Sequence, residues 1–316
     1  MALNSGWTYH DRLKAPTPGL GTDLTVWAYY CQRYTHSSPQ DWLDRILSGQ
    51  IQRNDRPTTS DTLLQPGDRL AYHRPPWQEP TVPLDFGILH QDPDFWIIDK
   101  PSGLPVLPGG AYLTHTLLHQ LQQHFPQESP TPLHRLGRGT SGLMVVARSA
   151  LARSHLSHAF RQRHLTKIYR ALVGPDIPAH PLPDRFRCTQ PIGPVPHGTG
   201  TVYAAVGLDH PQGRSALSEG WVLARSAQHS LVAVQIATGR PHQIRIHLAS
   251  LGYPLLGDPL YGVGGVPRSV LPGQPLPLPG DCGYWLHAYR LGFEHPRSDC
   301  WQDWTAPLPE DWPIDR

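Results

Sequence analysis

The stretch "LHRLGRGTSGLMVV", Leu133 to Val146, constrains the fold more than any other in this 316-residue chain. Gly137, Gly139 and Gly142 stand in the spacing G-x-G-x-x-G of a dinucleotide-binding loop. Such a loop needs a helix opening on its last glycine, so that backbone N–H groups face a pyrophosphate, and an acidic residue about 20 positions on to hold the ribose. Here Gly142 is followed by "LMVVA", an apolar, β-branched run that reads as a strand, and the next helical pattern begins only at about Ser149. No carboxylate occurs between Glu128 and Asp176. A kinase glycine loop fits no better, because the H-R-D and D-F-G segments that accompany one are missing.

The length favours one large domain with a small one. With 36 prolines and 29 glycines the chain predicts many long connections, while 39% hydrophobic residues suffice for a full core. Cys31, Cys188, Cys282 and Cys300 are scattered without a C-x-x-C pair, so neither a zinc site nor a disulfide framework is indicated, and a reducing cytoplasm is the expected compartment. The start "MALNSGWTYHDRLKAP" has no apolar signal-like core, and no run of 18 apolar residues occurs. No membrane association is expected.

The net charge of +2 says little, but its distribution says more. From Ser129 to Pro175 there are eight basic residues, Arg135, Arg138, Arg148, Arg153, Arg161, Arg163, Lys167 and Arg170, and no acid. A second acid-free window, Gly220 to Gly257, holds Arg225, Arg240 and Arg245. Two basic windows, each carrying a motif, point to a polyanion and favour nucleic acid over a merely solvated helix face. His115, His119 and His124 sit near helical spacing, but without partner carboxylates, cysteines or an H-E-x-x-H pattern they read as a polar helix face and not as metal ligands.

Along the chain, "LTVWAYYCQRY" and "SPQDWLDRILSGQI" predict two short helices, the second capped by Ser38 with Pro39 in its first turn. Polar turns at "NDRP" and "PGD" and a strand follow. This order resembles the αL RNA-binding motif of a ribosomal small-subunit protein, with a generic α+β cap as the other reading. The expected organisation is an αL-type RNA-binding-like domain over 1–75, a proline-rich linker over 76–84, and a larger domain over 85–316.

The segments "DFWIIDKPSGLPVLPG", "LHRLGRGTSGLMVVARS", "KIYRALVGP", "TGRPHQIRIHLASLGYPLLGDPLYG" and "LHAYRLGFEHP" occur in an order and spacing that resemble the RluA-type family of RNA pseudouridine synthases, over about residues 83 to 312. The resemblance implies an α+β domain around a central, largely antiparallel mixed sheet with flanking helices and loops and a basic cleft. It also implies an isomerase that detaches uracil from its ribose, turns it and rejoins it through carbon 5, without cofactor or metal. The RNA partner is expected to be tRNA or rRNA, with the target base out of its stack. No obligate protein partner is indicated.

The family motif H-R-L-D-x-x-T-S-G carries its essential aspartate where this chain has Gly137. Glycine offers neither nucleophile nor base. Three consequences stay open: RNA binding without chemistry, as in an RNA-folding chaperone; rescue by another carboxylate, with Asp258 and Glu219 nearest in sequence; or an altered mechanism. The resemblance further implies that Arg135 fills the space of the flipped base, and that Tyr169 packs its ring on the uracil while its hydroxyl assists proton removal from carbon 5. Arg245 matches the arginine that pairs with the aspartate, and so is expected to face either phosphate or another acid. Arg138, Thr140 and Arg163 are expected on the RNA side, Thr140 with Ser141 and Gly142 shaping the loop. The excursion over 262–283 reads as a long surface loop in preference to a recognition element.

Overall fold

In the first eighty residues, apolar side chains recur at helical spacing in two short segments and then alternate with polar ones in the strands that follow. The computed structural model describes residues 3–15, 17–18, 20, 22–174, 181–198, 200–271 and 273–313. Two compact units emerge, Met1–Glu79 with Gly198–Gly200, and Pro80–His197 with Thr201–Arg316.

In the smaller unit, α1 (Val26–Arg33) starts on Thr25, whose hydroxyl accepts the Ala28 N–H. Helix α2 (Pro39–Leu47) starts on a full capping box between Ser38 and Asp41, with proline at its first position. Both helices pack Val26, Tyr30, Trp42 and Ile46 into a core shared with Ile51, Leu64 and Leu70. The sheet has the order β1 (Trp7–Arg12), β4 (Arg69–Arg74), β2 (Ile51–Arg53), β3 (Arg56–Pro57). Asn54 and Asp55 between β2 and β3 both have positive φ, 51° and 63°, as a two-residue hairpin of type I′ demands.

The larger unit is built on a ten-stranded mixed sheet. Its main path runs β10 (Arg185–Cys188), β13 (Ser218–Arg225), β14 (Ser230–Ile236), β9 (Leu165–Val173), β17 (Leu286–Glu294), β8 (Ser141–Ala147), β6 (Phe95–Lys100), β5 (Gly87–Gln91). Strand β18 (Trp301–Thr305) pairs with β17, and β7 (Thr131–Pro132) with β8. Among the described residues only the β8–β17 pair is parallel; the other pairs in this sheet are antiparallel. Strands β6 and β8 are apolar on both faces, and Phe95 to Ile98 and Leu143 to Val146 form the heart of the core. The fold is thus the expected α+β class with a largely antiparallel mixed sheet.

Helices α3 (Leu117–His124) and α4 (Ala150–Gln162) send Leu117, Leu121, Ala152 and Leu156 into the same core. Ser149 caps α4 by accepting the Ala152 N–H, so the helix after the glycine stretch begins where its pattern predicts. Helix α5 (Gln243–Ser250) is buried along almost its whole length. Two small hairpins, β11 (Ile192–His197) with β12 (Gly200–Ala205) and β15 (Tyr261–Gly262) with β16 (Val266–Pro267), complete the elements. Among the described residues no helix is long and apolar enough to cross a membrane, and no cluster of three His, Cys, Asp or Glu could hold a metal ion.

Candidate active site

The loop between β7 and β8 is clamped from below by the turn that follows β6. Lys100 is fully buried, and its Nζ donates to the carbonyls of Pro101 and Leu104, both at 2.8 Å, and of Arg138 at 3.2 Å. Burial pulls this ammonium down to about 7. Ser102 Oγ donates to the Gly139 carbonyl at 2.9 Å, and the Gly103 N–H to the Arg138 carbonyl at 2.8 Å. The segment "KPSG" therefore serves to hold the backbone of the glycine loop. Within the loop, the Thr140 N–H donates to the Gly137 carbonyl at 3.0 Å.

Each glycine of the G-x-G-x-x-G stretch has its own steric reason. A Cβ at Gly142 would stand 2.4 Å from the Ala288 carbonyl oxygen, because β8 and β17 run side by side there, and its φ of +99° suits glycine alone. Gly139 and Gly137 instead make room for one side chain, Tyr284. A Cβ at Gly139 would lie 3.0 Å from the Tyr284 Cζ, and one at Gly137 would lie 3.0 Å from its hydroxyl oxygen. Tyr284 itself is 5% exposed, and its hydroxyl lies 3.3 Å from Thr140 Oγ1.

Beneath Tyr284 lies Arg245, 2% exposed. Its Nε and Nη2 meet the two carboxylate oxygens of Asp258 at 2.7 and 2.8 Å, a bidentate pair buried on both sides. Of the two fates open to Arg245, the structure chooses another acid over phosphate. Burial works against the guanidinium charge, but the hydrogen bonds of Asp258 and the neighbouring tyrosines hold it above even the ordinary arginine value. The guanidinium carbon is 4.2 Å from the Tyr284 ring centroid and 4.9 Å from that of Tyr261. Asp258 also accepts the N–H groups of Leu260 and Tyr261, so it shapes a turn and holds an arginine at once.

His242, which the sequence reading passed over, opens α5 with a left-handed backbone, φ +55°. Tyr261 donates its hydroxyl to the Tyr203 carbonyl at 2.7 Å and so accepts from His242 Nδ1, also at 2.7 Å. That leaves the lone pair on Nε2. Burial first, then Arg245, pulls this imidazole down to about 4, so it is neutral at physiological pH.

Tyr169 lies in β9, opposite Val234 and Ala288, and burial pushes its phenol up to about 12. Arg135 is exposed on the loop, whereas Thr140 is buried and directs its hydroxyl inward to Tyr284. Arg138 Nε donates to the Gly280 carbonyl at 2.7 Å, and its guanidinium rests over Tyr112. Arg163 closes α4 and is exposed with Arg153 and Arg161, so this helix presents a basic face; Arg148, by contrast, is held by Glu128 at 2.6 Å. Glu219 sits on β13 beside Arg187 of β10. The excursion over 262–283 is tied in at its far end, where Pro279 accepts from Arg245 and Gly280 from Arg138.

The profile of the RNA pseudouridylate synthase family matches residues 94–250, which contain the glycine loop, Tyr169 and Arg245. An uncharacterized RNA pseudouridine synthase of Synechocystis sp. is 51% identical over 284 residues, covering 90% of this chain and 94% of the relative. The chain belongs to the RNA pseudouridylate synthase family. RNA pseudouridine synthase 5 of Oryza sativa subsp. japonica is 38% identical, covering 97% of this chain and 88% of that protein. Among solved structures, human RNA pseudouridylate synthase domain containing 1 shares the fold, with a TM-score of 0.56 at 24% identity, over 73% of this chain and 87% of its own. The family's fold therefore accounts for the larger unit.

Proposed function

We propose that this chain is an RNA pseudouridine synthase that isomerises uridine to pseudouridine in structured RNA, a tRNA or an rRNA. The observation that carries the reading is the 51% identity to a pseudouridine synthase across nearly the full length of both proteins. In this reading the cleft over the β7–β8 loop receives the flipped uridine. Arg135 takes its place in the stack, and Tyr169 packs on the uracil. Arg245 holds the floor of the site through Asp258, while Gly137 stands where the family's motif has its aspartate. The smaller unit adds an RNA contact of αL type.

RNA affinity is expected to fall steeply with salt. Arg163→Ala is expected to lower the slope of log K against log salt by about one. Arg138→Ala changes the slope less, because Arg138 already donates to Gly280. Titrations at three salt concentrations check both.

Turnover is tested by tritium release from RNA labelled at carbon 5 of uridine. The unaltered chain is expected to release tritium, and Tyr169→Phe to slow release with little change in RNA affinity. RNA binding without any release from tRNA or rRNA would contradict the isomerase reading.

A further inference from the structure

We propose that the phenol of Tyr284 is the proton-transferring group of this isomerase, in the place that a side chain at position 137 would occupy. The inference rests on the isomerase reading above and names the residue that performs its chemistry.

The geometry leads there by contact, once the two carboxylates nearest in sequence are accounted for. Asp258 is taken up by Arg245, and Glu219 stands beside Arg187 on the outer strands. The Tyr284 hydroxyl, by contrast, lies 3.0 Å from where a Cβ of residue 137 would be, and Gly137 is itself exposed. An RNA bound over the loop therefore meets the phenol oxygen through the gap that the missing side chain leaves. Gly137 and Gly139 are the two positions that admit this ring.

The surroundings suit a phenol that gives and takes a proton. The Arg245 guanidinium lies under the ring at 4.2 Å, and Thr140 Oγ1 stands 3.3 Å from the oxygen; both favour the phenolate. Burial, Cys282 and Asp258 act the other way, and together they hold the phenol above the ordinary tyrosine value. Tyr261 packs on the same guanidinium. The reactive phenolate is consequently a minority form at neutral pH, formed by loss of the proton to water.

The step balances as follows. The phenolate oxygen takes the proton from C2′ of the target ribose. The C2′–H electron pair becomes the C1′=C2′ double bond, and the C1′–N1 bond breaks with its pair going to uracil N1. After the base turns, the uracil anion forms the C5–C1′ bond, and the double-bond pair takes the proton back from Tyr284 at C2′, restoring the phenolate. C5 then loses its proton to water by way of the Tyr169 hydroxyl, which takes that proton as it passes its own on, and N1 gains one from water.

The test uses the full chain and tritium release between pH 6 and 9. The unaltered chain is expected to speed up about tenfold per pH unit, because the active form is the deprotonated one. Tyr284→Phe is expected to lose about 10²–10⁴-fold in turnover, the range of general acid–base catalysis, with RNA affinity and thermal midpoint kept. Gly137→Asp/Tyr284→Phe is expected to recover turnover with a flat profile, since a carboxylate is ionised throughout this range. Replacing Tyr284 by difluorotyrosine, which keeps the ring and lowers the phenol's pKa, is expected to move the rise to lower pH and remains decisive should Tyr284→Phe fold poorly. Turnover of Tyr284→Phe within about threefold of the unaltered chain, or a profile unmoved by difluorotyrosine, overturns the proposal and leaves the isomerase reading standing. No release by the unaltered chain from any RNA overturns both.

Discussion

Asp258→Ala is expected to destabilise the larger unit by about 3–5 kcal/mol, the usual loss when one partner of a buried ion pair is removed. Arg245 would be left charged beneath Tyr284, Asp258 being the partner that holds both Nε and Nη2. The turn at Leu260 and Tyr261 would lose two N–H acceptors as well. For a unit of this size the midpoint of thermal unfolding should fall by roughly 10 °C. Arg245→Met/Asp258→Leu, which removes both charges, should destabilise less than Asp258→Ala, because no unpaired charge stays behind. Melting curves of the two variants check this. A double variant no more stable than the single would mean that the turn, and not the ion pair, is what Asp258 maintains.

The second large effect belongs to Gly142. Gly142→Ala places a Cβ 2.4 Å from a backbone oxygen and forces alanine to φ +99°, so either β8 and β17 move apart or the strain is carried. A loss of about 3 kcal/mol or more is expected. The neighbouring glycines should rank far below it. Gly139→Ala meets the Tyr284 ring and the Cys282 backbone at 3.0 to 3.2 Å, and Gly137→Ala meets only a hydroxyl at the end of one side chain. Urea unfolding of the three variants gives the order directly, and an equal loss at all three would contradict the separate steric reasons assigned here.

That ranking shows what the sequence could and could not tell. The strand after the glycines and the helix after Ser149 were legible, because β-branched runs and serine caps act on their immediate neighbours. The cap at Ser38 and the polar turn at Asn54–Asp55 were legible for the same reason, although the full capping box and the hairpin were seen only in the structure. What fills the site was not. Tyr284 meets Gly137 from 147 positions away, and nothing in "GDCGYWLHA" marks its ring as the occupant of that distant loop. Asp258 carried a usable signal: it is the only carboxylate between Glu219 and Asp281, so a buried arginine in that window had a single acid within reach in sequence. Within "GDPLYG" Asp258 accepts the N–H groups of a turn as well as holding the arginine. The long excursion was half described, since its exposed middle resembles a surface loop while Pro279 and Gly280 are fastened to Arg245 and Arg138.

Pseudouridine mapping at single-nucleotide resolution, in tRNA and rRNA from cells with and without the gene, tests the central claim most directly. The account predicts at least one uridine that is converted when the gene is present, unconverted when it is absent, and converted again when purified protein is added to the unmodified RNA. Identical pseudouridine maps from the two cell lines, together with no conversion by the purified protein, would contradict it and leave a chain that binds RNA on an isomerase fold without acting on it.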